Sequence, residues 1–347
     1  MTASTRGQSP GGLLDAIKHL LRRYHQLDAQ PPPALAALRC YQELYRAGRS
    51  HAEAQRLLLD QGLDSLALRD PHAAELLRER FQAGLKAEHV ANRRGIASAT
   101  LFERQNDAVA KLNLLVQERE NEALRRHIHT LQQRVPLTNA DLLFGIAGHV
   151  QALGELLASP RAPWLLAITG IGGIGKSTLA AATVLATLQA GLWDNVAWVA
   201  ARSSYLESGW SAEEPQLSPT ALLEQLFDQL LPGQPKPADF DDGKALFLLS
   251  EECRRQHCLV VVDNLEGVAA ARRLLPMLRP LTKLSKVLLC VREKLHMETD
   301  VTDYPAPELR EADALALLRA SAGGRLDAAE TNDASLHLIY EVTGGNP

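Results

Sequence analysis

The feature that most constrains the fold is a glycine-rich segment between an apolar run and a helical pattern. Gly170-Ile-Gly-Gly-Ile-Gly-Lys-Ser-Thr178 fits the pattern G-x-x-x-x-G-K-[S/T] without a gap. Leu165–Ile168 precedes it, and an Ala/Leu-rich stretch, 179–189, follows it. A strand, a tight glycine turn and a helix N-terminus in this order form a cradle whose backbone N–H groups face a polyphosphate. The sequence therefore predicts a phosphate-binding loop.

The residues of this loop have distinct predicted roles around ATP or ADP with Mg²⁺. Lys176 can reach the β- and γ-phosphates, and the Ser177 hydroxyl can ligate the metal ion. The other positions are predicted to surround the phosphates: Gly170, Ile171, Gly172, Gly173, Ile174, Gly175 and Thr178. A nucleotide and Mg²⁺ are therefore the expected ligands.

Apolar runs alternate with helical stretches from Pro163 onward, which is typical of a parallel sheet covered by helices on both faces. The runs predicted as strands are Leu165–Thr169, Val196–Ala200, Leu259–Val262 and Val287–Val291. The second half of the chain is therefore predicted to be an α/β P-loop NTPase with a doubly wound parallel sheet.

Two of these strands end in charged residues that should lie beside the phosphate loop. Asp263 ends one strand and is predicted to ligate Mg²⁺ together with Ser177. Either Asn264 or Glu266 could orient an attacking water, but only Glu266 can act as an acid or base. Arg292 ends the next strand and could stabilise a γ-phosphate. The predicted catalytic residues are Lys176, Asp263, Glu266 and Arg292.

These segments resemble the NB-ARC branch of the STAND ATPases. Gly170–Ala180 is similar to the P-loop of that family, Leu259–Glu266 to its Walker B strand and Val287–Arg292 to its sensor-1 strand. Glu341-Val-Thr-Gly-Gly-Asn-Pro347 resembles its G-x-P motif. The resemblance covers about residues 140–347.

The resemblance implies a signalling ATPase switch. ADP would hold the nucleotide domain closed, ATP with Mg²⁺ would favour an open, self-associating form, and slow hydrolysis would reset it. Pro347 would lie against the adenine, and Gly145, in a linker that lacks the arginine usual in the family, would contact the nucleotide. Asn264 stands where many relatives carry a second Asp, which agrees with slow turnover.

The first half of the chain is predicted to be all-α over residues 1–134, with a helix-turn-helix at about 76–112. Apolar residues there have the spacing of a small trihelical core: Leu85, Val90, Ile96, Leu101 and Val109. The segment resembles the sigma-factor-type helix-turn-helix, with a recognition helix over Ser98–Ala110 and a separate helix over Leu112–Gln133. The resemblance implies candidate DNA contacts at Arg93, Arg94, Thr100, Arg104 and Asn106.

DNA binding leads to a second hypothesis, in which the protein is a transcription regulator and the nucleotide domain is regulatory. The charge pattern permits both hypotheses. Residues 1–135 carry 20 Lys and Arg against 15 Asp and Glu, whereas residues 136–347 carry 17 against 26. A helical adaptor that binds protein is the alternative for the first half.

Composition and segment lengths define the remaining expectations. Aromatic residues are only 5% of the 347, which favours helix-rich over all-β architecture. No apolar run approaches the length of a membrane span, and four scattered cysteines give no disulfide framework, so a cytoplasmic protein without membrane contact is expected. The predicted domains are 1–134, a linker with a first helix over 135–162, and the nucleotide domain over 163–347. Because the winged-helix and sensor units of the family would follow Pro347, a truncated fragment or a split-gene product is expected.

Overall fold

The chain divides into two units, Met1–His129 and Thr130–Pro347, whereas the sequence pattern predicts a boundary after residue 134. The structure is a computed structural model that describes residues 10–136, 143–201, 217–236, 241–322 and 333–346. Each unit has its own buried apolar core.

Helices make up the described part of the first unit. They are Pro10–Arg22 (α1), Pro33–Ala36 (α2), Arg39–Arg46 (α3), His51–Arg69 (α4), Pro71–Leu77 (α5), Ala87–Arg94 (α6) and Ser98–Gln132 (α7). A π-helical turn, Arg78–Gln82, follows α5. The start of α4 is a capping box, because Ser50 Oγ accepts from Glu53 N–H while the Glu53 carboxylate accepts from Ser50 N–H. Side chains from α1, α3, α4, α5 and α7 share the main core of this unit.

A small separate core lies within the segment predicted to be a helix-turn-helix. Its buried members are Leu76, Val90, Ala91 and Leu101, with Leu85, Ala87 and Ile96 packed against them. Val109, which the sequence pattern assigns to this cluster, instead lies in the main core of the unit.

The two helices expected on either side of residue 111 are one continuous helix, α7, of 35 residues. The expectation of a separate helix over Leu112–Gln133 is therefore wrong. No glycine or proline interrupts residues 98–132, and apolar residues of α7 on both sides of Lys111 enter the same core.

The second unit contains one five-stranded sheet. Its strands are Leu165–Thr169 (β1), Asn195–Ala200 (β2), Cys258–Leu265 (β3), Lys286–Val291 (β4) and Val301–Pro305 (β5). They are hydrogen-bonded in the order β2-β3-β4-β1-β5, and every neighbouring pair is parallel. The predicted α/β fold with a parallel, doubly wound sheet is confirmed.

Helices cover both faces of this sheet. The helices described in the second unit are Ala147–Ala158 (α8), Lys176–Gln189 (α9), Pro219–Leu230 (α10), Asp242–Arg255 (α11), Val268–Leu278 (α12), Glu311–Ala322 (α13) and Asp333–Thr343 (α14). Side chains of α8 and α9 pack on one face, and those of α10, α11 and α12 pack on the other. Along β3 and β4, alternate residues enter the two cores, as the pleat of a strand requires.

The strand β5 is an addition to the four strands predicted from apolar runs. It pairs with β1 at the edge of the sheet, and none of its residues is fully buried. An edge strand of this kind needs no continuous apolar run, and it tolerates a proline such as Pro305 at its end. Within the described ranges, no helix combines the length and the apolar character needed to cross a bilayer.

Candidate functional site

The phosphate loop lies between the end of β1 and the start of α9. Gly173 and Gly175 have φ angles of +84° and +90°, which favour glycine because a Cβ would strain the backbone there. Gly175 is also the N-cap residue of α9, so the first free N–H groups of that helix border the loop. Ile174 is buried and anchors the middle of the loop in the core. The local sequence thus folds into the cradle that the motif predicts.

Lys176, the first residue of α9, turns back over its own loop. Its Nζ donates to the carbonyl oxygens of Gly170 and Ile171 at 2.8 and 2.7 Å. Burial lowers the pKa of this ammonium group. Because Gly170 is partly exposed and Ile171 is exposed, phosphate oxygens could replace these carbonyls as acceptors and water could solvate the carbonyls that are released.

The Ser177 hydroxyl donates to Asp263 Oδ1 at 2.8 Å. The pleat explains this contact, since Leu259 and Val261 of β3 face the layer that contains α9 and Asp263 follows at the same parity. A hydroxyl and a carboxylate are hard oxygen ligands of the kind that Mg²⁺ takes, together with waters and phosphate oxygens. In the described ranges, no three His, Cys, Asp or Glu side chains could hold a metal ion by themselves. The pair Ser177 and Asp263 therefore fits Mg²⁺ that arrives with a nucleotide.

A β-bulge in β3 shapes the backbone after Asp263. The pairing of β3 with β4 shifts between Val262 and Leu265, and Asn264 has a φ of +60°. Asn264 N–H donates to Asp263 Oδ1 at 2.7 Å, and its Nδ2 donates to Ala201 O at 2.9 Å. The amide of Asn264 thus joins the ends of β2 and β3. Of the two candidates for orienting a water, Glu266 has the side chain that is not engaged with the backbone.

Glu266 and Arg292 form an ion pair, with 2.8 Å between Oε1 and Nη2. The strand register brings them together, because Leu265 and Val291 are paired neighbours and each charged residue comes next in its strand. The Arg292 side chain is 48% exposed and that of Glu266 is 22% exposed. Both groups are therefore accessible at the carboxyl edge of the sheet, where the predicted catalytic residues gather.

Cys290 is a member of this neighbourhood that the sequence analysis did not single out. It is fully buried in β4, and its Sγ lies 3.9 Å from Lys176 O. Burial, followed by the charge of Asp263, raises the pKa of the thiol well above its ordinary value. The parity of β4 could have indicated this position, because Leu288 and Cys290 face the same layer as α9.

The last described turn of the chain also contacts the phosphate loop. A Cβ at Gly173 would lie 3.7 Å from both Nδ2 and Oδ1 of Asn346. Pro347, the predicted adenine contact, lies outside the described residues. Gly145, the predicted linker contact, has a φ of +68°, and a Cβ there would lie 2.7 Å from Asp313 Oδ2, so the Asp313 side chain would have to move to admit one. Its role toward a nucleotide stays a prediction.

The residues predicted to contact DNA lie in α6 and the first third of α7. Arg93, Arg104 and Asn106 are exposed, and Arg94 and Thr100 are partly exposed. The two arginines of α6 are paired with acids: Arg93 with Glu79 at 3.3 Å, and Arg94 with Glu79 at 2.9 Å and with Glu75 at 3.2 Å. The five residues thus lie on one segment, but two of them, Arg93 and Arg94, would have to exchange a carboxylate partner for a phosphate.

No protein-family model matches the sequence, and no curated protein matches it. Among solved structures, the Aeropyrum pernix ORC2 protein in ADPNP and ADP complexes is similar over 59% of this chain and 59% of its own, with 18% identity and a TM-score of 0.43. A STAND protein with a tetratricopeptide repeat sensor, PH0952 from Pyrococcus horikoshii, is similar over 60% of this chain, with 19% identity and a TM-score of 0.40.

The chain spans only 29% of the Pyrococcus protein. Drosophila ORC bound to GC-rich DNA and Cdc6 is similar over 58% of this chain and 33% of its own, with 12% identity and a TM-score of 0.35. All three TM-scores are below 0.5, so the proposals that follow depend on the geometry of the chain's own residues.

Proposed function

We propose that the second unit binds ATP or ADP together with Mg²⁺ at the phosphate loop. The observation that carries the proposal is the 2.8 Å hydrogen bond from Ser177 Oγ to Asp263 Oδ1 beside the loop. It joins the end of β3 to the start of α9, which is where a metal ion between the loop and the nucleotide phosphates would be held. Bound Mg²⁺ would neutralise phosphate charge.

The neighbouring side chains supply the other functions that a nucleoside triphosphate needs. Lys176 would exchange the carbonyls of Gly170 and Ile171 for phosphate oxygens, and Arg292 would turn from Glu266 to a terminal phosphate. Glu266 would then be released to accept a proton from an attacking water. Slow hydrolysis of ATP to ADP and phosphate is the reaction that this set supports.

We infer a switch as the biological role of this site. The ADP form would be closed, and the ATP form would self-associate and bring the helical first units together as the output. The inference rests on the ion pair of Glu266 and Arg292, which the terminal phosphate of ATP would break and ADP would leave intact. The two nucleotides would therefore favour different contacts at the carboxyl edge of the sheet. Light scattering of the chain with Mg²⁺ and either ADP or a non-hydrolysable ATP analogue tests this, and equal masses in both would contradict it.

Nucleotide binding is tested by calorimetry of the wild type and Lys176→Met with ATP and Mg²⁺. We expect Lys176→Met to weaken ATP binding by about 100-fold, because a charge-assisted contact to the phosphates is lost. Lys283→Met is the matched control, since Lys283 is exposed and lies far along the chain from the loop. Equal affinity of wild type and Lys176→Met would overturn the assignment of the site.

A second candidate function, DNA binding by the first unit, is favoured by one observation. A turn of three residues, Gly95 to Ala97, joins α6 to α7, and the outer positions Arg104 and Asn106 of α7 are exposed. Binding of the full chain to a random DNA library at about 50 mM and about 200 mM salt tests it. Salt-dependent binding that Arg104→Ala weakens would support this function, and the absence of any binding at the lower salt would exclude it.

A further inference from the structure

Asn346, in the last described turn of the chain, has its side chain beside the phosphate loop. Its carboxamide lies beside Gly173, with Nδ2 and Oδ1 each 3.7 Å from the position of a Cβ on that glycine. Oδ1 is buried and has no hydrogen-bond partner among the described residues. An amide oxygen is an acceptor and cannot pair with a phosphate oxygen, but Oδ1 and Nδ2 lie equally near Gly173, so a half-turn of the carboxamide directs its N–H donors to the same place. The position beside Gly173 is where the loop would hold phosphates.

The backbone fixes this side chain relative to the loop. Leu309 N–H donates to Gly345 O at 2.9 Å, and a Cβ on Gly345 would clash with Leu309 O. Upstream of Leu309, Ala306 N–H donates to Thr169 O at 2.8 Å at the end of β1. The chain from β1 through Ala306 and Leu309 to Gly345 therefore holds Asn346 over Gly173 before any ligand arrives, so little entropy would be lost when it binds one.

We propose that Asn346 is a direct ligand of the nucleotide and that its amide donates to a phosphate oxygen. The inference rests on the proposed nucleotide binding and adds a contact from the other end of the second unit. A carboxamide carries two N–H donors, and phosphate oxygens are acceptors, so the pairing is complementary. The ligand class is a nucleoside diphosphate or triphosphate.

The position of the contact indicates which phosphates Asn346 binds. The middle of a glycine-rich loop of this kind surrounds the α- and β-phosphates, which ADP and ATP share. Lys176 and Arg292 lie toward the terminal phosphate instead. Loss of the Asn346 side chain should therefore weaken the binding of ADP and of ATP by the same factor. Loss of the Arg292 side chain should weaken the binding of ATP more than that of ADP.

The test measures binding of ADP, ATP and adenosine to the full chain by calorimetry. We expect Asn346→Ala to weaken both nucleotides about tenfold, because one hydrogen bond to a charged group is lost. Asn346→Asp should weaken both by more than about 100-fold, since a carboxylate would face phosphate oxygens. Thr343→Asp is the matched control, because it adds the same charge three residues earlier at an exposed position. Adenosine binding should be unchanged in every variant.

A labelling experiment provides an independent measurement. Residue 346 is partly exposed and the four native cysteines are all buried, so the thiol of an Asn346→Cys variant should react with a maleimide faster than the native thiols. ADP with Mg²⁺ should slow its alkylation, and adenosine should not.

The possible failures can be told apart. If the wild type binds neither ADP nor ATP, the proposed function is wrong. If the wild type binds both and Asn346→Asp binds them equally well, only the assignment of Asn346 is wrong. A loss of adenosine binding in Asn346→Asp would place the residue beside the nucleoside and would overturn the phosphate contact. Because the Asn346 side chain makes no hydrogen bond within the described residues, all variants should melt at the temperature of the wild type.

Discussion

Two lysines at opposite ends of the parallel sheet satisfy their ammonium groups in the same way. Lys286 begins β4 at the amino edge, and Lys176 follows β1 at the carboxyl edge. Each Nζ donates only to backbone carbonyls, and no carboxylate pairs with either ammonium in the described part of the chain. Burial lowers the pKa of both groups.

The surroundings of the two lysines differ in one respect that decides their roles. Lys286 is 2% exposed, donates to three carbonyls at 2.8–3.0 Å, and lies 5.1 Å from the centroid of the Trp164 ring. Those carbonyls belong to Leu156 in the last turn of α8 and to the segment that leads into β1. Lys286 thus joins a helix end to two strands, and nothing could replace its partners.

Lys176, by contrast, is partly exposed and donates to two carbonyls of its own glycine-rich loop. Water can solvate these two carbonyls, and a phosphate oxygen could take their place as the acceptor for the ammonium. A lysine without a carboxylate partner therefore has a structural role where its carbonyl acceptors are enclosed in the fold. It can bind a ligand where those acceptors belong to an exposed loop. The comparison predicts that removing the Lys286 ammonium destabilises the fold, whereas removing the Lys176 ammonium weakens ligand binding and changes stability little.

The largest expected effect on stability is that of Lys286→Met. The substitution keeps the aliphatic stem but leaves three carbonyls without a donor, so we expect the free energy of unfolding to fall by about 2 to 4 kcal/mol. Urea denaturation measures it, with Lys283→Met as the control for an exposed lysine. A loss below about 0.5 kcal/mol would show that the carbonyls find other partners and would remove the distinction between the two lysines.

The next effect concerns the pair of charges at the carboxyl edge. Glu266→Gln should slow ATP hydrolysis by about 100-fold, because the amide cannot accept a proton. ATP affinity should change little, since Glu266 would not contact the phosphates. Phosphate release measures the rate, and Glu293→Gln, at an exposed position after Arg292, serves as the control. An unchanged rate in Glu266→Gln would assign Glu266 the structural role of holding Arg292.

The sequence was sufficient to predict features whose position depends only on the order of strands and turns along the chain. The phosphate loop and the strands β1 to β4 follow from apolar runs and one motif. So do the positions of Asp263 and Arg292 at the carboxyl edge of the sheet, although β3 continues two residues beyond Asp263. The pleat then brings Ser177 and Asp263 to the same face of the sheet.

Other features depend on contacts between segments far apart in the chain. From the sequence alone, Lys286 is only a polar residue at the start of a strand. The structure shows that its ammonium donates to the carbonyl oxygens of Leu156 and Pro163. Asn346 meets Gly173 only because Leu309 binds Gly345. The edge strand β5 lacks an apolar run, and α7 continues past the point where a short recognition helix was expected. None of these contacts leaves a periodic pattern in one sequence.

A smaller effect is expected from pH. Because the folded state lowers the pKa of Lys286 below its value of 10.5, the unfolded chain binds more protons between the two values. The free energy of unfolding should therefore rise with pH through that window, and the penalty for burying the ammonium is present at lower pH. Urea denaturation of wild type and Lys286→Met at several pH values up to 10.5 isolates this contribution, because other titrating groups cancel in the difference. A difference that stays constant would mean that Lys286 keeps its ordinary pKa in the fold.

The smallest effect is that of Lys176→Met on the stability of the chain without nucleotide. Removing this ammonium frees two loop carbonyls that water can solvate, and it also removes a partly buried charge. These two changes oppose each other, so the free energy of unfolding should stay within about 0.5 kcal/mol of the wild type. Urea denaturation with and without ADP and Mg²⁺ measures both halves of the statement, because a ligand that binds only the folded state adds stability in proportion to its affinity. The wild type should gain stability from ADP and Mg²⁺, and Lys176→Met should gain much less. A large loss of stability in Lys176→Met without nucleotide would mean that Lys176, like Lys286, is held as part of the fold, and the contrast between the two edges of the sheet would disappear.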